Sequence, residues 1–292
     1  MRHTQHGTER FSAASFGALA AVVGAAAVLS NSGCEQKERP VTKEHSHNQP
    51  DTPHSDHSQP TATANSMLMI DTDPSPVVAG VPVSLSMMIH RPNGSMVRGF
   101  ELTHEKLVHL IIVSEGLNHF AHEHPEVDKS GNLSVRFTFP SPGKYLMFAD
   151  HKAVGEQGST ARGELQVGTS TGQITPLEPT APGRIVSDGV SANVLVGANI
   201  GGSAKITFEL SDESGKPLTD LQQYLGAMGH LVIISADGSK YVHAHPTANG
   251  QETNGHVTFD AHFTSSGIYK GWGQFQRGGA VFTIPFVTKI EF

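Results

Sequence analysis

The sequence predicts an all-β protein: two tandem β-sandwich domains of immunoglobulin-like type, preceded by an export signal and a polar tether. Three observations predict it. Short apolar runs alternate with turn signals such as Asn93-Gly94, Ser130-Gly131 and Pro142-Gly143, with no sustained helical period. The 292 residues include 31 glycines and 17 prolines, which favour short strands and turns over long helices. The second half of the chain repeats the first.

Residues 1–34 read as a lipoprotein-type signal segment. Arg2 and Arg10 precede an uncharged run, residues 16–29, about the length of a signal-peptide apolar core and short for a bilayer span. Cys34 follows the small residues Ser32 and Gly33 and is the expected lipidation site. Asn31 departs from the aliphatic residue usual in such signals. The expected location is the bacterial cell envelope, with the folded part facing the periplasm or the exterior and the membrane touched only through the lipid. Residues 35–65 are polar and rich in Pro, Ser, Thr and His, with little to bury, and are expected to form a disordered tether. His45, His47, His54 and His57 lie within it and give it a loose capacity for metal.

The first domain is expected over residues 66–168, with strands at 82–90, 106–114, 119–123, 132–139, 143–150 and 162–167. About seven strands in roughly 100 residues is the density of an immunoglobulin-like sandwich. Residues 169–183, rich in Thr, Pro and Gly, form the expected linker. The second domain, residues 184–292, resumes the rhythm with strands at 192–197, 204–210, 230–235, 241–245, 256–262, 268–274 and 280–286.

The repeat is read by comparing the chain with itself. VHLIIVSEGLNHFAHEHP, residues 108–125, aligns without a gap on GHLVIISADGSKYVHAHP, residues 229–246. His109 matches His230, His122 matches His243, His124 matches His245, and Pro125 matches Pro246. Downstream, residues 141–150 lie on residues 265–274, so that Tyr145 meets Tyr269 and Asp150 meets Gln274.

Composition narrows the chemistry. A net charge of -7 with 16% charged residues offers no basic field for nucleic acid. One cysteine against eighteen histidines excludes an internal disulfide and a thiolate-rich cluster, which leaves imidazole, carboxylate and thioether as metal ligands. No phosphate loop, dinucleotide fingerprint or nucleophile motif is present, and the protein is read as a non-enzyme.

Both repeats carry His-x12-His-x-His-Pro. Residues two apart on a strand share a face with Cα atoms about 6.5–7 Å apart, so His122 and His124, or His243 and His245, can converge on one ion. A hairpin turn between the strands can return His109 or His230 beside its pair. Three imidazoles with an open position for water or a fourth protein ligand suit zinc, copper or nickel. Asp150 is a candidate fourth ligand of the first copy, where the second has the poorer ligand Gln274. Met228, two residues before His230, and the Met87-Met88-x-His90 cluster lean the choice toward copper. His104, His119, His256 and His262 occur in one copy only and are assigned surface or packing roles, and Phe120 and Tyr241 are assigned to the core.

The pattern His-Leu-x-Ile-x-Ser, a short turn, an aromatic residue, His-x-His-Pro and then a Gly-x-Tyr strand resembles a family of bacterial secreted or lipoprotein domains, in which the fourth position is Val. These are mostly uncharacterised and often occur beside copper and heavy-metal efflux systems. The resemblance covers the central 50 or so residues of each domain. It implies an immunoglobulin-like fold, an envelope location and, by context, association with metal. The primary expectation is an envelope-anchored protein that buffers or transfers copper, or zinc, through the paired histidine sites. An alternative is an interaction module that docks on an envelope protein partner, with the histidines shaping a turn. A third reading is a three-histidine metal enzyme, disfavoured because Glu123 is answered by Ala244 and Asp150 by Gln274. Whether the two histidine sets form one shared site or two is left open by the sequence.

Overall fold

The computed structural model describes residues 66–171, 174–181, 183–244, 246 and 254–292. The signal segment, Cys34, the tether and His245 lie outside the described residues. Eighteen strands and no helix occur among the described residues. In the first repeat they are β1 (Ser66–Asp73), β2 (Pro82–His90), β3 (Phe100–Glu101), β4 (Val108–Ser114), β5 (Phe120–Glu123), β6 (Glu126–Val127), β7 (Leu133–Thr138), β8 (Gly143–Ala153) and β9 (Gly158–Val167). In the second they are β10 (Ile185–Ser187), β11 (Val190–Val196), β12 (Ser203–Asp212), β13 (Leu221–Gln222), β14 (His230–Ser235), β15 (Tyr241–Ala244), β16 (His256–His262), β17 (Gly267–Arg277) and β18 (Ala280–Ile290). β1, β6 and β10 add to the strands expected from the sequence, and β3 and β13 begin at the strand entries expected at Phe100 and Leu221.

Each repeat is a β-sandwich. In the first, one layer runs β5-β4-β8-β9 and the other β1-β2-β7-β6. β1 joins them, pairing antiparallel with β2 and, at Ser66 and Met67, parallel with β9. In the second, β10-β11-β12-β16 faces a separate sheet in which β17 lies between β14 and β18. Strict alternation drives the layers together. On β2, Val83, Leu85, Met87 and Ile89 point into the first core, and on β12 Ala204, Ile206, Phe208 and Leu210 point into the second.

Strands β4 and β14 break that alternation, because they are buried along nearly their whole length. Leu110 and Ile112 serve the first core, and Leu231 and Ile233 the second. The opposite faces form a third core shared by the two repeats: Ile111, Val113, Leu146 and Phe148 from the first, and Val232, Ile234, Tyr241 and Trp272 from the second. Phe120 stacks on Trp272 at 4.8 Å between centroids, and Phe148 on Tyr241 at 4.9 Å. Under the internal alignment Phe120 corresponds to Tyr241 and Phe148 to Trp272, so the two stacks are one contact made twice about a pseudo-twofold axis. Phe120 and Tyr241, assigned to the domain cores from sequence, therefore work between the domains. The segment between repeats takes part too: Leu177 packs on the shared core, and Thr180 N–H donates to Val287 O at 2.9 Å.

Candidate functional site

Strand parity sets the site. His109 lies on the same face of β4 as Ile111 and Val113, and His230 on the same face of β14 as Val232 and Ile234, so both histidines point into the interdomain layer. Register puts His122 opposite Ile111 and His243 opposite Val232. Asp150 faces His109 across β4–β8, as Gln274 faces His230 across β14–β17. One end of the interdomain layer is therefore apolar and aromatic, and the other is built of histidines.

The described histidines of the two sets pack as one cluster. Ring centroids lie 6.2 Å apart for His109 and His230, 5.5 Å for His109 and His243, and 6.0 Å for His122 and His243. His124 lies 5.1 Å from His109 and 4.8 Å from His122. The sequence leaves one site or two open, and the described imidazoles meet in one place. One ring nitrogen from each of His109, His122 and His124 falls within 4.8 Å of the other two. A tetrahedral ion with nitrogens at about 2.0–2.1 Å would hold them about 3.3 Å apart, a contraction within reach of small side-chain rotations.

Four of the rings have a polar partner behind them. His109 Nε2–H donates to Thr103 O at 2.9 Å, and His230 Nε2–H donates to Tyr224 O at 2.9 Å. Those carbonyls are presented by matching tight turns with positive φ at His104 and Glu105, and at Leu225 and Gly226. His122 Nδ1–H donates to Gln274 Oε1 at 2.7 Å, and His243 Nδ1 shares a 2.6 Å hydrogen bond with Asp150 Oδ2. Both latter bonds cross between the repeats. Asp150, expected as a fourth ligand beside the first histidine set, hydrogen-bonds a histidine of the second, and Gln274, the poorer ligand at the matching position, hydrogen-bonds one of the first.

Burial disfavours charge on these groups. It depresses His122 and His124 to about 4 each, with the neighbouring imidazoles adding to the effect. It lowers His109, and lowers His230 and His243 well below the usual histidine value. Asp150 is raised by the same desolvation, and Tyr241 is raised by desolvation and by the nearby Asp150 carboxyl.

His104, assigned a surface or packing role from sequence, lies at the cluster, 6.2 Å from His109 and 5.7 Å from His230. Its counterpart is Leu225, so the repeat comparison could not flag it. Only its place in the turn that offers Thr103 O could have done so. Met228 occupies the bend before β14 at the position where the first repeat has Leu107, which packs on its own core. Met87 is buried in the first core and takes no part.

Among solved structures, the chain is similar to a tetra-tandem repeat in the extending region of a large adhesion protein, with 12% identity and a TM-score of 0.26 over 77% of this chain and 49% of that one. It is also similar to invasin, a bacterial integrin-binding protein, with 13% identity and a TM-score of 0.21 over 75% and 39%. For the Yersinia pseudotuberculosis adhesin InvE the identity is 12% and the TM-score 0.22, over 79% and 60%. This chain thus spans less than two thirds of each of those chains. No curated protein matches it. A family profile matches residues 62–169 and again residues 185–291, one match per sandwich, and the chain belongs to that family, described as Domain of unknown function (DUF8832).

Proposed function

We propose that this protein binds a transition-metal ion, copper or zinc, at one histidine centre built jointly by its two domains, and that it buffers or transfers that ion at the bacterial envelope without catalysing a reaction. The observation that carries the reading is the 3.1 Å approach of His109 Nδ1 to His122 Nε2. His109 has its proton on Nε2, toward Thr103 O. His122 has its proton on Nδ1, toward Gln274 Oε1, whose amide nitrogen is directed to Thr283 Oγ1. With the amide so oriented, two lone pairs face each other in a buried place, an arrangement that repels unless a cation lies near both. Desolvation opposes a proton there at neutral pH, whereas a metal ion takes neutral imidazoles as ligands.

Two further features agree. His124 Nε2 is buried with no hydrogen-bond partner, as a ligand nitrogen awaiting an ion would be. Imidazole backed by a carbonyl or carboxylate is the usual outer arrangement of a metal-bound histidine, fixing the tautomer and the ring. The second set differs in one respect. His230 Nδ1 and His243 Nε2 approach to 3.4 Å, but a proton on Asp150 would let His243 carry hydrogen on Nε2 and donate to His230. Gln274 relieves the first set only with its amide reversed, Nε2–H donating to His122 Nδ1 and Oε1 accepting from the Thr283 hydroxyl. His109, His122 and His124 are accordingly the residues that would hold the ion, with His230 and His243 packed around them.

The test is titration of Zn(II) and Cu(II) into the full chain and into the His122→Ala/His124→Ala variant. Tether histidines contribute equally to both proteins, so the difference reports the centre. The expected result is the loss of one tight equivalent, and equal binding by the two proteins would sink the proposal. A second reading, in which the histidines serve as a clasp that orients the domains for docking on an envelope protein, is supported by the interdomain bonds from His122 to Gln274 and from His243 to Asp150, which need no metal. That reading expects the variant to lose domain coupling with metal binding unchanged.

A further inference from the structure

The outward face of the β1–β2 pair carries a separate concentration of soft ligands. Antiparallel register sets Met67 opposite His90 and Met69 opposite Met88, and a bridge on the other side of β2 sets Met96 opposite His90. Directly opposed residues share a face, as do residues two apart on one strand, so four thioethers and one imidazole occupy one surface. Met67 and Met69 are 58% and 45% exposed, and Met88, His90 and Met96 are half-buried. Leu68, Met87 and Ile89, which alternate with them, line the core beneath. Opposed Cβ atoms are about 4.5–5.5 Å apart, and methionine has three rotatable bonds, so neighbouring sulfurs can reach a common point.

Half of the chain's eight methionines stand on this patch, and the fold does not require them there. The second repeat places Ser191 opposite Ser211, Asn193 opposite Glu209, and Pro217 opposite Ser211 in the same register. Ser, Asn, Glu and Pro thus satisfy the same sheet positions without a thioether. His90 is also oriented: its Nδ1 lies 3.3 Å from Gly94 O, a donation that leaves Nε2 with the lone pair. Arg162, the β9 partner of Met67, has its charge paired with Glu164 at 2.9 Å.

We propose that Met67, Met69, Met88 and His90, with Met96 at the edge, bind Cu(I). Neutral thioethers select soft monovalent copper over zinc and over divalent copper, and they do so without losing a proton. A solvent-facing sheet surface suits rapid capture and release. This site stands on β1 and β2, shares no ligand with the histidine centre, and is independent of the function proposed above.

The experiment is anaerobic Cu(I) titration of the full chain against a chromogenic chelator, in a Cys34→Ser background so that no thiol competes, with copper X-ray absorption on the loaded protein. Wild type is expected to hold Cu(I) with a sulfur scattering shell. Met67→Leu/Met69→Leu/Met88→Leu, which keeps apolar bulk while removing sulfur, should bind at least tenfold more weakly and lose that shell. The titration is run in a His122→Ala/His124→Ala background, where the histidine centre no longer competes for copper and the sulfur shell should persist. Should the triple variant fail to fold, Met69→Leu alone, at an exposed position, should still weaken binding and reduce the sulfur contribution. A wild-type spectrum without sulfur, or unchanged affinity in the folded Leu variants, overturns the proposal.

Discussion

Asp150 and Gln274 occupy equivalent places in the two repeats, each opposite the first histidine of its own domain, and each hydrogen-bonds the second histidine of the other domain: Asp150 with His243, Gln274 with His122. The exchange makes the domain interface and the candidate metal centre one structure. A substitution at either position is therefore read in two ways, as interdomain stability and as ligand orientation.

Gln274→Ala strands the buried Nδ1–H of His122, and a buried donor without a partner costs about 1–3 kcal/mol. The chemical-denaturation midpoint should fall accordingly. Loss of a group that orients a metal-bound imidazole typically weakens affinity about 10–100-fold, so competition titration with zinc should show a drop of that order. Gln274→Glu, which retains an acceptor, should recover most of the affinity.

Stability should depend on pH through the buried histidines. His122 and His124 have folded values of about 4 against an ordinary 6.5, so the unfolded chain binds protons that the folded chain refuses. Their contribution is fully present above about pH 6.5 and is lost as pH falls toward 4, at up to about 1.4 kcal/mol per pH unit for each imidazole that charges only on unfolding. His124 is partly open to solvent, which reduces its share. Asp150, raised by burial, acts with the opposite sign and offsets part of the loss at the acid end. Thermal melts of metal-free protein from pH 7.5 to 4 should show a falling Tm. A flat profile would contradict the buried neutral cluster.

Trp272 is the chain's single tryptophan, 4% exposed and stacked on Phe120 of the other repeat. Trp272→Ala should cost about 3–5 kcal/mol by removing a large buried side chain. Its first effect should be on the shared layer, since Phe208, Phe259 and Phe275 fill the second domain's own core. Calorimetry should then resolve two transitions where wild type gives one. Tryptophan emission, measured in the Phe120→Ala variant, should shift to the red.

Gly131 and Gly255 hold equivalent turns with φ of +86° and +76°. A Cβ on Gly131 would come within 2.6 Å of Arg98 Cα and Val97 O, which are backbone atoms. Gly131→Ala combines the left-handed penalty of about 1–2 kcal/mol with that clash. Its denaturation midpoint should drop by more than that of Gly94→Ala, where φ is +82° and nothing lies within 4 Å.

Much of the architecture was legible because its signals are local or repeated. Alternation on β2 and β12, the turn glycines, and the ungapped match of residues 108–125 on 229–246 are properties of the chain alone, and they determined two β-sandwiches bearing matching histidines. Strand β1 escaped notice because its outward positions are Met67 and Met69, apolar residues that blur a period of two. What only the tertiary structure decided is which faces meet. The unbroken apolar runs of β4 and β14 imply two buried faces, but no pattern within a strand names the surface that covers the second. The two domains cover one another, so His109 and His230 stack 6.2 Å apart although they are far apart in the chain. The roles of Asp150 and Gln274 follow from that docking, because a hydrogen bond between residues 93 or 152 positions apart leaves no trace in sequence spacing.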